Sequence, residues 1–264
     1  MRMQLAALFV CASALSLAAD WKPVDGPLTT PWTAKVAADK ALPEYPRPQM
    51  VRAKWTNLNG LWDYAIRGMG DDTLAKWEGK ILVPFAVESA LSGVKRPVTP
   101  EQTLWYHRAF TASAAKGSRV LLHFGAVDWR ADVSVNGKPV GRHEGGYDPF
   151  TFDITDALKP GNAQELAVTV WDPTDTALNP RGKQVLAPNS IWYTAVTGIW
   201  QTVWLETVPT AHVRELTMTP DIDAKQLRLT VATADAAEFT AIARLRGKEV
   251  GRVTGKTNAE TKLA

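Results

Sequence analysis

Between Leu61 and Glu206, stretch after stretch alternates apolar and polar residues with a period of two, and no long amphipathic helix pattern appears anywhere. In LWDYAIR, Trp62, Tyr64 and Ile66 share one face. In LWYHRAFT, Leu104, Tyr106 and Phe110 lie opposite Trp105, His107 and Ala109. RVLLHFGAV, ADVSV, FTFDI, ELAVTVWD and IWQTVWLE obey the same rule, which places one face of each segment in a core and the other toward solvent. Such a chain is all-β and antiparallel. Its turns agree: Asn136-Gly137 between Val135 and Lys138 carries the residues that a type I′ hairpin demands, and Pro160-Gly161-Asn162 breaks the pattern again. TDAL from Thr155 has room for one helical turn. Many short strands joined by turns predict a sandwich or jelly roll.

The flanks differ from this body. Residues 20–50 are rich in Pro, which disfavours both helix and central strand, so an extended lead lying over the body is expected, anchored by Trp21, Trp32 and Tyr45. Beyond Val208-Pro209-Thr210 no Trp occurs, and four further strands are expected in HVRELTMTP, QLRLTVATA, EFTAIARLRG and KEVGRVTG. Four strands are about half of an immunoglobulin-like sandwich. The expected division is therefore a jelly roll over 51–209 and an incomplete immunoglobulin-like unit over 210–264, with the chain ending as a truncation or inside a longer protein.

Residues 1–19 read as a cleavable signal peptide: Arg2, an apolar run from Leu5 to Leu17, then small residues at Ser16 and Ala18. The expected location is secreted or periplasmic. Cys11 is the only cysteine and lies within that leader, so disulfides, zinc thiolates and cysteine nucleophiles are excluded from the mature chain. Thirty basic residues against 27 acidic ones, with no basic run, leave no electrostatic footprint for nucleic acid. After the leader no apolar stretch is long enough to span a bilayer. The eleven Trp are ascribed chiefly to the core.

Motif searches exclude several chemistries. TGKT at 254–257 lacks the leading Gly of a phosphate loop, and GMGDDT near Gly68 lacks the third Gly of a dinucleotide fingerprint. His107, His123, His143 and His212 have no paired metal-ligand spacing, and no cofactor is implied. Glu88, Glu101, Asp128, Asp132, Glu144, Asp148 and Asp153 supply carboxylates, but most are ascribed to turns and rims rather than to a catalytic pair.

Five blocks in fixed order carry a resemblance: LPEYPRPQMVRAKWTNLNGLWDYAI, ILVPFAVESALSGV, LWYHRAF, VLLHFGAVDWRADVSVNGKPVGRHEGGYDPFTFDIT and GIWQTVWLETV. From roughly Leu42 to Val208 the chain resembles the N-terminal sugar-binding domain of glycoside hydrolase family 2, the family of β-galactosidases, β-glucuronidases and β-mannosidases. The resemblance implies a galactose-binding-domain-like jelly roll, then an immunoglobulin-like sandwich, then a (β/α)8 barrel that holds two catalytic glutamates. The acid/base Glu of that family follows an Asn, and no Asn-Glu dipeptide occurs in this chain. No catalytic residue therefore carries over, and the chain alone is expected to be inactive.

The resemblance also implies that jelly-roll loops reach the mouth of the barrel, where a β-glycoside would bind. Glu101 and Gln102, before LWYHRAF, form one candidate set of substrate-binding residues; Gln184, Asn189, Trp192 and Tyr193, before GIWQ, form the other. Polar groups beside an exposed aromatic suit a pyranose, which needs hydrogen bonds at its rim and a flat apolar surface under its C–H face. The competing reading is that Trp192 packs against the barrel and Asn189 caps a loop. For the whole chain, two functions compete: the non-catalytic N-terminal portion of a retaining exo-β-glycosidase, and a stand-alone carbohydrate-binding or adhesion module.

Overall fold

A computed structural model describes residues 21–26, 29–71 and 76–264; the expected signal peptide lies outside the described residues. Period-two alternation becomes two antiparallel sheets packed face to face. The six-stranded sheet runs Gly79–Val83, Gly60–Gly68, Gln102–Thr111, Ala163–Trp171, Arg130–Val135, Lys138–Glu144. The four-stranded sheet runs Trp55–Asn57, Val203–Pro209, Ser118–Phe124, Phe150–Asp153. Facing side chains of the two sheets form one core, with Trp62, Leu104, Tyr106, Leu122, Phe124, Leu166 and Val168 buried in it. Removing each such large apolar group from water contributes roughly 1.5–3 kcal/mol. The Asn136-Gly137 turn has φ of 54° and 77°, as a type I′ hairpin requires. Thr155–Ala157 is a single 3-10 turn, and Asp153 accepts the Thr155 backbone N–H there. This all-β architecture is the jelly roll that the alternation predicts.

The lead covers the outer face of the four-stranded sheet, and the contact is electrostatic at its centre. Glu206 is completely buried, with Arg47 Nη2 at 2.8 Å, Arg52 Nε at 2.6 Å and His123 Nε2 at 3.2 Å. Tyr45 Oη donates to the same carboxylate at 2.5 Å and Trp204 Nε1 at 3.1 Å. Tyr45 also packs edge-on against Trp55, and the Trp21 ring fills the space beside Gly93, so both act as anchors. Trp32 does not. It is 67% exposed, and the 3-10 turn Thr33–Lys35 that it caps brings Lys35 Nζ over its ring.

The second unit contains five strands rather than four. Glu215–Asp221, Gln226–Ala232 and Glu260–Leu263 form one antiparallel sheet, and Glu238–Leu245 with Lys248–Lys256 form a hairpin. The extra strand, ETKL, is too short to show a period by itself; pairing with Gln226–Ala232 creates it. This is a partial immunoglobulin-like sandwich.

Candidate functional site

The long return from Trp171 to Val203 crosses one end of the jelly roll, and buried polar groups hold it there. Asp172 ends its strand and accepts the Thr174 backbone N–H at 2.7 Å and the Thr197 hydroxyl at 3.0 Å. Thr197 N donates to Glu88 at 2.9 Å. Gln184 bridges the two arms of the loop: its amide donates to Asp128 at 3.2 Å, and its carbonyl accepts Val196 N at 2.6 Å. Gly198 and Ile199 pair with Asp128 and Val127, closing the return onto the core. Gly146, from the GGYDP corner, leaves room for the Asp128 carboxylate; a Cβ there would lie 2.6 Å from it. Tyr147 of that corner meets Trp200 edge-on, so the glycine-rich corner and the return form one surface.

These acids are not at rims. Asp128 and Asp172 are buried, and Glu88 borders a cavity of about 500 Å³ between the lead, the Ala86–Leu91 turn and Thr194–Val196. Burial raises the Glu88 carboxyl to about 7, against the hydrogen bonds from Thr197. Burial and then the nearby Asp172 charge raise Asp128 to about 7, and burial raises Asp172 as well. The rim reading of Glu88 and Asp128 is thus corrected: they clamp the loop, and their surroundings favour the neutral acid. Asp172 and Thr197 escaped the sequence reading, although an Asp-Pro after a strand is a recognisable turn signal.

A carboxyl whose folded value lies above its unfolded value near 4 contributes stability fully below that unfolded value, and loses it as pH rises through about 7. Asp128→Asn keeps an oxygen for Gln184 and removes the ionisation. The unfolding free energy of the variant, read from urea melts, should gain on that of the parent from pH 5 to pH 8 by on the order of 2 kcal/mol. A flat difference profile would refute the assignment.

Above this clamp the loop turns outward. Gln184–Val185 pairs in parallel with Tyr193–Thr194, Tyr193 N donates to Lys183 O at 2.8 Å, and Trp192 N donates to Asn189 O at 2.9 Å. The tip therefore presents Ile191, Trp192 and Tyr193, which are 61%, 40% and 62% exposed, together with the exposed Asn189. Asn189 Nδ2 donates to Ala187 O within the tip. Gln184 lies beneath these residues as a clamp. Glu101 is exposed at the start of the central strand, and Gln102 accepts Thr99 N through its side chain. Their segment joins the same end of the sandwich because Pro100 O accepts Trp171 Nε1 at 2.7 Å, and Arg130 stacks on that ring at 4.5 Å. Among the described residues no hydrogen bond or ring contact links Glu101 or Gln102 directly to Trp192 or Tyr193. Among the described residues no three His, Cys, Asp or Glu side chains converge as metal ligands would.

The pattern described as glycosyl hydrolase 2 galactose-binding domain-like matches residues 80–215, just over half of the chain. The chain belongs to glycoside hydrolase family 2. Over 148 residues this family 2 chain is 34% identical to a β-galactosidase of Thermoanaerobacter pseudethanolicus, covering 55% of the chain and 18% of that relative. A putative β-glucuronidase of Formosa agariphila is 29% identical over 184 residues, covering 67% of the chain and 21% of its own length. Among solved structures, the β-glucuronidase of Lactobacillus rhamnosus matches with a TM-score of 0.62 at 26% identity, over 83% of the chain and 39% of that protein. A Ruminococcus gnavus β-glucuronidase gives 0.62 at 20% identity, over 83% and 40%. The chain spans about a fifth of these curated relatives' length.

Proposed function

We propose that the chain is the non-catalytic N-terminal portion of a retaining exo-β-glycosidase of the β-galactosidase or β-glucuronidase type, exported through the leader at 1–19. Bond cleavage would occur in a downstream barrel, by double displacement through a covalent glycosyl-enzyme. In this reading the clamped loop lends Trp192 and Tyr193 as an apolar platform and Asn189 as a hydrogen-bonding rim, while Glu101 and Gln102 approach from the neighbouring loop. The observation that carries it is the exposed apolar tip at 191–193, with its two aromatic rings, fixed by buried acids within the segment that carries the family match. Apolar side chains held outward at such a cost in buried polar groups suit a partner surface better than bulk water.

The test is hydrolysis of 4-nitrophenyl β-galactoside and β-glucuronide by the purified chain. No release above the blank is expected, and sustained turnover would overturn the reading. Titration calorimetry with galactose and glucuronate separates it from a stand-alone binding module, which would bind glycans without further domains.

A further inference from the structure

Away from the loop surface, where the lead meets the four-stranded sheet and the His212–Arg214 segment, lies a cleft of about 290 Å³. Arg47, Arg52 and Arg214 line it, together with Leu121, His123, Thr151, Asp153 and His212. Of the three guanidinium groups, those of Arg47 and Arg52 share one fully buried carboxylate, Glu206. Asp153, the other acid at the cleft, is bound by Arg119 at 2.6 Å. Arg214 has no ion pair among the described residues. With Arg47 and Arg52 sharing Glu206, Arg119 paired to both Asp153 and Asp156, and Arg214 unpaired, the concavity keeps a net positive charge. His123 is fixed beside it through Thr151, and burial holds its ring toward the neutral form despite Glu206.

We propose that this cleft binds a tetrahedral oxyanion, the sulfate or phosphate group of a free ion or of an esterified saccharide. Guanidinium forks from several directions match an anion with three or more outward oxygens. The volume exceeds that of several waters, at about 30 Å³ each, so it admits the anion together with part of an attached sugar. Nothing in this proposal depends on the catalytic reading of the chain.

The experiment is calorimetry and thermal melting of the purified chain with sodium sulfate and sodium phosphate, against sodium chloride at matched ionic strength. Saturable binding and a rise in melting temperature are expected with the oxyanions and not with chloride. Arg214→Gln, which leaves the Glu206 cluster intact, should weaken binding by about tenfold. Lys116→Gln, in an exposed turn elsewhere, should leave it unchanged. Galactose 6-sulfate binding more tightly than inorganic sulfate identifies a sugar ester as the ligand; equal affinity identifies the free ion. Equal effects of sulfate and chloride, or undiminished binding by Arg214→Gln, would overturn the proposal.

Discussion

Glu206→Leu is expected to destabilise the chain by about 3–5 kcal/mol, the scale for breaking a buried ion cluster by removing one partner. The mechanism is specific to this carboxylate. It accepts from Tyr45, Arg47, Arg52 and Trp204, and His123 Nε2 lies at 3.2 Å. Burial alone would raise its carboxyl, but the nearby His123 ring and the hydrogen bonds from Tyr45 and Trp204 outweigh that and hold it far below the ordinary carboxylate range. A folded value below the unfolded one, near 4, means that the stabilisation is present above the unfolded value and is lost as pH falls through the folded one. The leucine side chain would leave Arg47 and Arg52 without their counter-charge and the Tyr45 hydroxyl without its acceptor. For a chain of this size the melting temperature should fall by about 10 °C. Glu206→Gln, which preserves shape and most acceptors, should cost less, and its deficit against the parent should shrink at low pH. Limited proteolysis should then cut first within 40–52, where the lead loses its grip. A leucine variant within about 1 kcal/mol of the parent in urea unfolding would show that the lead is held by something other than this acid.

The same cluster marks where the sequence could be read and where it could not. Val133, Val135, Leu104 and Tyr106 are legible because each alternates within its own strand, and the structure buries all four. Val203–Pro209 alternates too, yet Trp204 and Glu206 on its supposed outer face are buried, because the lead from distant sequence covers them. Period two reports only that two faces differ; it cannot report what a Pro-rich segment some 160 residues away will lay on one of them. Glu88 and Asp128 were misplaced for a similar reason. Their burial arises from Thr197, Gln184 and Gly146, contacts made only when the return closes. Trp192 and Tyr193 were legible as a local cluster of aromatics, whereas Gln184, of equal polarity to Asn189, serves inside the loop rather than at its tip.

Gly198→Ala should be comparably damaging, by about 3–5 kcal/mol, through two costs that reinforce each other. Gly198 has φ of 91°, a region that L side chains rarely adopt and that costs of order 1–3 kcal/mol. A Cβ there would also lie 2.0 Å from Tyr106 Oη and 2.9 Å from Leu104 Cδ2, and overpacking a close-packed core costs about as much again. Tyr106 cannot yield cheaply: it is fully buried, packs edge-on against Trp62, and its hydroxyl accepts Ile199 N at 3.2 Å. Tyr106→Phe alone loses that acceptor, at about 1 kcal/mol. Combined with Gly198→Ala, however, it removes the clashing atom. The double variant should therefore be less destabilised than the sum of the singles, a coupling readable in urea midpoints. Strict additivity would sink the steric account. Because Gly198 and Ile199 pair with Asp128 and Val127, a displaced Gly198 also unseats the clamp beneath Trp192 and Tyr193. The alanine variant should thus expose the 181–196 loop to proteolysis before the body of the sandwich melts, placing the loop's position under the control of one glycine in the core.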